Sequence, residues 1–488
     1  MDCQYQPKRI TTRSDGETDQ RANDDLAWLL PDDVLADILR RLAPRWLAAF
    51  RCVCKAWRDA VDARHLLRAD LLPLWLDGII VDFGSHEYSP EFFTRPRLPA
   101  SGKLENLTTM AVRDHCNGLL LSFDTYDHHG YVSNPATGWK VRLPPCPYAR
   151  LWTEAAYFHH YIVFDPTVST HYEVFKIPHI GGSEHERDPL PDKSEWPPSQ
   201  FVMHVFSSVT GTWEEKTFSR EGEAAGTVAN LRSMMEQQDV YVNFTGTVYW
   251  RGALYVHYAS DFVLRICSSS SKYRVIETPL HIGVNEYREL YLARSEKGVY
   301  FASICDLQIR IWILNESSRH LVWVLKHDNN LEHVLPRHYN NLRQIDEPWG
   351  LQAVKGRHPS GQDILHDNRE APSEEKFGRN NCPLRKDNFE WDSNGDDVPI
   401  PGDTYVLRAG DVDILGFHPN KEIVFLSQSS DLKLGLAYHL SSSRVQVLGS
   451  LSPPNGVFLE VEYDKEIDIS LPYTPCWIEE LPGNISSE

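Results

Sequence analysis

At 488 residues the chain is too long for one ordinary domain and long enough to bury a large core. Its net charge of −19, from 49 basic against 68 acidic residues, argues against the basic stripe that a nucleic-acid-binding surface needs. No apolar run reaches the length of a membrane span, and nine scattered cysteines point to a reducing setting inside the cell, cytoplasmic or nuclear.

Residues 1–25 are polar and lack the apolar segment of a signal peptide, so they read as a disordered tail. A helical pattern follows. Pro31 suits a first helical position, where its missing N–H costs nothing. Asp32 and Asp33 come next, in the first turn, where the helix dipole favours negative charge. Val34, Leu35, Ile38, Leu39 and Leu42 recur at helical spacing, and Arg40 and Arg41 complement the last turn. Pro44 breaks the pattern. Leu47, Phe50, Val53 and Cys54 form a second stripe, Trp57 and Val61 a third, and His65–Leu72 one more helix. Three helices sharing about 30 residues are fewer than a chain usually needs to fold alone. Their apolar positions also cover more than one face. Either the unit packs on the rest of its own chain, or it is half of an interface whose partner covers Leu30, Ile38, Leu39 and Leu47.

The order Leu-Pro-Asp-Asp, then Ile-Leu and Leu at helical spacing, then Phe-Arg-Cys-Val-Cys-Lys-Ala-Trp-Arg resembles an F-box. That resemblance implies a helical domain over 26–72 that binds an Skp-type adaptor and, through it, a cullin–RING ubiquitin ligase. The residues it puts on the adaptor are Leu30, Pro31, Val34, Leu35, Ile38, Leu39, Leu42, Leu47, Val53, Cys54 and Trp57.

From about Leu76 the periodicity changes to two, with Gly, Asn, Asp, Ser and Pro between the runs, as for many short strands joined by tight turns. Two hairpin types alternate, the second exemplified by Cys116–Ser122, Arg251–His257 and His418–Ser427, the first by Ser133–Pro144, Phe206–Phe218 and Cys267–Pro279. Pairing them gives five four-stranded units at about 112–145, 157–218, 247–279, 291–327 and 411–449. Repeats of this kind favour a β-propeller over an irregular pair of sandwiches, with a sixth blade closed by Gly78–Gly84 and Val457–Leu471. The strings NPATGWKVRLPP, FSSVTGTWEE and ILGFHPNKEIVFLS also look like the grass F-box proteins that carry an F-box-associated β domain. The expected fold class is therefore α+β and multidomain. A small helical F-box precedes an all-β, propeller-like domain over 76–475, and a C-terminal tail occupies 476–488. Residues 329–408, rich in Asp, Glu, Asn, Gly and Pro, read as a solvated insertion, and Gly181–Pro198 as a shorter loop of the same kind.

No Gly-rich phosphate loop, G-x-S-x-G elbow or H-E-x-x-H occurs. His128-His129 and His159-His160 are adjacent pairs that would point to opposite faces of a strand, and read as surface or loop histidines. Cys52 and Cys54 read as packing thiols, and Asp124 and Asp127 as turn residues. Trp139, Trp213, Tyr273 and Trp323 fall at matching hairpin positions and read as blade packing, not as a ligand cage. No cofactor, metal or catalytic residue is expected. The resemblance implies a substrate-recognition subunit of an SCF-type ligase, with a protein target held by the loops Phe123–Gly130, Gly181–Pro198, Glu221–Gln238 and Val284–Glu289. An adaptor-binding protein that does not lead to ubiquitylation and a propeller enzyme are the rivals.

Overall fold

The structure, a computed structural model, describes residues 32–40, positions 57, 60 and 64, and then 76–83, 90–95, 110–124, 129–147, 157–180, 192–237, 246–258, 262–280, 289–317, 320–336, 348–352, 411–429, 433–452, 467–478 and 481–482. The chain divides into two compact units, one of residues 1–72 with 477–479 and one of 73–476 with 480–488.

In the first unit a nine-residue helix, α1, spans Asp32–Arg40. It opens on two acids and closes on Arg40, the charge order that the helix dipole favours. The expectations for the tail 1–25 and for His65–Leu72 lie outside the described residues.

The second unit is mostly β. Its strands form six antiparallel meanders of four. Meander I is Met110–Cys116, Leu119–Asp124, Gly130–Asn134 and Trp139–Arg142. Meander II is Tyr157–Phe164, Tyr172–His179, Gln200–Ser207 and Thr212–Arg220. Meander III is Thr247–Trp250, Ala253–Tyr258, Phe262–Cys267 and Lys272–Glu277. Meander IV is Glu289–Ser295, Gly298–Cys305, Gln308–Ser317 and His320–Asn330. Meander V is Val412–Phe417, Ile423–Gln428, Leu434–His439 and Arg444–Ser450. These five match the five repeats expected from the hairpin pattern, within a few residues at each end.

Meander VI is assembled from three distant segments: Ile469–Tyr473, Gly78–Asp82, Glu91–Thr94 and Trp349–Gln352, in that spatial order. Two corrections follow. The segment expected from the C-terminal side, Val457–Leu471, is displaced to Ile469–Tyr473, with 453–466 outside the described residues. The solvated insertion expected at 329–408 contains the fourth strand. Trp349 and Leu351 alternate onto one face and are buried, and Trp349 lies 5.4 Å from the Phe93 ring. Leu331 and Leu335 are buried in the same interval. Two apolar residues in a strand of four do not change the polar composition of the long segment around them. Residues 337–347 and 353–410 lie outside the described ones. In the expected tail, Cys476 and Leu481 are buried.

The first strands of the meanders are neighbours in the cyclic order I, II, III, IV, V, VI and back to I. Apolar clusters fill the spaces between consecutive sheets: II with III, III with IV, IV with V, V with VI, and VI with I. Short parallel pairings also link fourth strands, Ser219–Arg220 with Lys272–Tyr273 and Trp349–Gly350 with Gly449–Ser450. Two-residue turns close the first strands of meanders I, III and IV. In Asn117-Gly118 and Arg251-Gly252 both residues have positive φ, as a two-residue hairpin with the right twist requires. The last residues of neighbouring first strands meet there, Asn117 with Phe164 and Ser295 with His418. Strand alternation then puts the strand ends that border the four long connections named above at the opposite end.

Trp349→Ala should cost about 3–5 kcal/mol, as for other buried large-to-small changes, read as a lowered urea midpoint. Removing residues 467–488 should cost more and broaden the transition. An unchanged melt after both changes would show that meander VI contributes nothing to the fold.

Candidate functional site

Two places present side chains that packing alone does not account for. The first is α1. Leu35 and Leu39 are buried, at 2% and 1% exposure, whereas Val34 and Ile38 are open at 45% and 47%. Positions four apart lie on one face, so Val34 and Ile38 form an apolar ridge facing out while Leu35, Ala36 and Leu39 face in. Of the residues expected on a partner, Ile38 is thus open and Leu39 is covered by its own chain. Trp57 is half-buried. Leu30, Pro31, Leu42, Leu47, Val53 and Cys54, like Cys52, lie outside the described residues.

The second is the hub, where the first strands converge. A β-bulge between Val112 and Asp114 re-aims the Asp114 carboxylate toward the neighbouring meanders. One oxygen accepts from the backbone N–H of His115 at 2.8 Å and from the Thr247 hydroxyl at 2.5 Å; the other accepts from the N–H of Ile162 at 2.8 Å. A single buried carboxylate therefore ties meanders I, II and III. Burial pushes its pKa up to about 7 against the pull of those three donors. Burial also holds His115 down at about 4, with the nearby Arg294 charge adding to the effect. The neutral ring meets the carbonyl of Pro472 through Nε2 at 3.0 Å, which fixes the proton on Nε2. Asn117 Nδ2 donates to Phe164 O at 2.6 Å, and Arg294 donates to Asn117 Oδ1 at 2.9 Å and to Tyr249 O at 3.4 Å. The Tyr291 hydroxyl donates to Ser470 O at 3.0 Å. Gly118, at φ +90°, has to be glycine: a Cβ there would lie 2.6 Å from the backbone nitrogen of Cys476.

Glu289, at the other end of its strand, is also pushed up, to about 8, by burial and then by the charge of Asp413. The expected turn residue Asp124 ends a strand of meander I, and Asp127 is outside the described residues.

The histidine expectation needs correction at one pair. His159 and His160 lie on a strand, not in a loop. His159 meets the His179 ring at 4.3 Å and His160 the Phe123 ring at 4.6 Å, so they do face opposite ways. Burial depresses both, to about 4 and about 3. Of the other pair, His128 lies outside the described residues. Among the described residues no group of three acids, histidines and cysteines is placed to hold a metal ion, and no helix is long and apolar enough to cross a membrane.

The hairpin aromatics are inter-meander ties. Trp213 Nε1 donates to Pro144 O and Trp323 Nε1 to Glu277 O, each reaching back to the end of the preceding sheet, and the Tyr273 hydroxyl donates to Pro198 O, just ahead of the third strand of the preceding sheet. Trp139 meets Tyr172 edge-on at 6.0 Å. Two of the four expected recognition loops also meet. Glu195–Trp196 pairs with Gly226–Thr227, Trp196 is buried with Val228 and Leu231 of a second helix, α2 (Val228–Gln237), and Arg232 bridges to Asp192 at 2.9 Å. The described part of the Gly181–Pro198 loop is therefore folded against its neighbour rather than solvated; its buried Trp196 was the available signal.

Both raised acids let the folded protein bind more protons than the unfolded chain between about pH 4 and pH 8. The stability they permit is complete below about pH 4 and is lost as pH rises through 7 to 8. Melting temperatures of the native chain and Asp114→Asn should therefore differ in a pH-dependent way, the native chain's standing falling as pH rises from about 4.5 to 7.5. A native advantage that grows over that range would show Asp114 to be ionised throughout and held by its three donors.

Residues 27–69 match the F-box-like family. An F-box protein of Arabidopsis thaliana is 27% identical over 122 residues, covering 24% of this chain and 39% of that protein. A probable F-box protein of the same plant is 27% identical over 116 residues, covering 24% and 37%. A further Arabidopsis F-box protein is 42% identical over 48 residues, covering 9% and 30%. The chain thus spans less than two fifths of the length of these relatives. Among solved structures, a functionally unknown protein from Desulfotomaculum acetoxidans aligns over 54% of this chain and 71% of its own at 8% identity, with a TM-score of 0.26, too low to carry an argument about fold. The chain carries an F-box-like domain near its N-terminal side, and its sequence similarity is to plant F-box proteins.

Proposed function

We propose that this chain is the substrate-recognition subunit of an SCF-type ubiquitin ligase. The observation that carries the reading is the F-box-like match over 27–69 together with an α1 that leaves Val34 and Ile38 open. An open apolar ridge on so short a helical unit is the surface that an Skp-type adaptor would cover. Leu30, Pro31, Leu42, Leu47, Val53, Cys54 and Trp57 would complete the contact, and Leu35 and Leu39 would support the ridge from beneath.

The six meanders in cyclic order are read as a six-bladed β-propeller, closed where Gly78–Asp82 pairs with Ile469–Tyr473. The similarity of its hairpin strings to the grass F-box-associated β domain supports the same reading. Its strands are scaffold. The target protein would sit on the end that carries the long connections, around the folded pair 192–198 and 221–237. No bond is made or broken by this chain. The F-box would hold the ligase, the propeller the target, and the gain is effective concentration.

Val34→Asp with Ile38→Asp should reduce co-purification of an Skp-type adaptor at least tenfold, because two charges would then be buried unpaired. The β unit's melt should stay unchanged. Leu39→Ala should instead loosen the helical unit itself. Full retention of the adaptor by the double variant would overturn the assignment.

A further inference from the structure

The hub holds a partly open cavity of about 80 Å³, lined by His115, Asn117, Thr247, Tyr291, Arg294 and Thr474 among others. These residues come from meanders I, III, IV and the strand end of VI. One of them carries an unbalanced charge. Arg294 is half-buried, and its guanidinium has five N–H donors. The structure accounts for two of them, on Asn117 Oδ1 and Tyr249 O, with the guanidinium 5.9 Å from the Trp250 ring centre. Among the described residues no carboxylate lies within ion-pair distance of Arg294. Asp114 of the same network spends its oxygens on His115, Ile162 and Thr247.

We propose that this cavity binds a small oxyanion, a phosphate or carboxylate group, through the N–H groups of Arg294 not used on Asn117 and Tyr249. A partly buried guanidinium without a counter-ion is costly, and its planar fork fits two oxygens of such a group. The size argues the same way. Ligand pockets for nucleotide- or drug-sized molecules start at about 300 Å³, so this one takes a group of a few heavy atoms. The surroundings agree in sign: Arg294 is the leading charge acting on His115, and at Cys116 its effect is larger than that of Asp114 or of Asp165 taken singly. Asn117 holds the guanidinium in place from a turn that fixes its own backbone at φ 46°. The oxyanion could be free in solution or belong to a bound polypeptide, as its terminal carboxylate. The inference stands apart from the ligase reading, since it uses none of residues 27–69.

The test uses the full chain, with melting temperature read against inorganic phosphate and, in a second arm, against trialanine and its C-terminal amide, all at constant ionic strength. Phosphate should raise the melting temperature saturably, in the millimolar range, and Arg294→Gln should abolish the rise. Arg294→Lys, which keeps the charge and loses the fork, should weaken it at least fivefold and stands in if the glutamine variant does not fold. Stabilisation by trialanine but not by its amide, stronger than by phosphate, assigns the site to a polypeptide carboxylate; the reverse order assigns it to a free oxyanion. No saturable effect from either probe overturns the proposal, as does an equal effect in the native chain and in both Arg294 variants. Adaptor co-purification measured on the same samples separates this result from the ligase assignment.

Discussion

A sheet whose inner strands are apolar on both faces has to be covered twice. Gly78–Asp82, Ala253–Tyr258 and Ile423–Gln428 are buried at every position, whereas the outer strand Lys272–Glu277 alternates between buried and open. Each meander therefore needs a neighbour on either side, and burial of its large side chains stabilises by roughly 1.5–3 kcal/mol apiece only when both are present. A row of sheets leaves two raw faces; a ring leaves none. The first strands that line the ring are close but belong to separate ladders, so side chains make the connections that backbone does not. Asp114 reaches meanders II and III, Tyr291 reaches VI, and Ser295 reaches V. At the rim the tryptophans and Tyr273 repeat the device with one bond each.

The two ends of the ring differ in kind. Where the first strands finish, the turns are as short as two residues, and Arg294 is held there by Asn117 and the Tyr249 carbonyl. At the other end lie the long connections, and two of them are ordered by each other through Trp196, Val228, Leu231 and the Arg232–Asp192 bridge.

What could be read from the sequence was local. The F-box pattern sits in one continuous run, and each hairpin announces itself through alternation and a turn. The sheet built from three segments was only half legible, since closure points Gly78–Asp82 to the C-terminal side but the apolar run 457–471 starts well before the strand Ile469–Tyr473 that pairs with it. Trp349–Gln352 was hidden because two apolar residues do not show in a long polar stretch. The hub was not legible at all. Asp114 acquires its role from a bulge and from partners 48 and 133 positions away, and nothing near Arg294 in sequence marks it as unbalanced. The open ridge on α1 was legible as apolar, but which of Ile38 and Leu39 faces out depends on packing.

The origin of meander VI in three stretches also sets a schedule. Its second and third strands are made early, its fourth after meander IV, and its first after every other strand. Ribosomes add about 5–20 residues per second, so Gly78–Thr94 leaves the exit tunnel tens of seconds before Ile469–Tyr473 exists to pair with it. During that interval an apolar strand edge stands without its neighbour in a nascent chain. The sheet that locks the ring is thus also the site at which a chaperone has the longest opportunity to bind, and where a stalled translation product would be recognisable as unfinished.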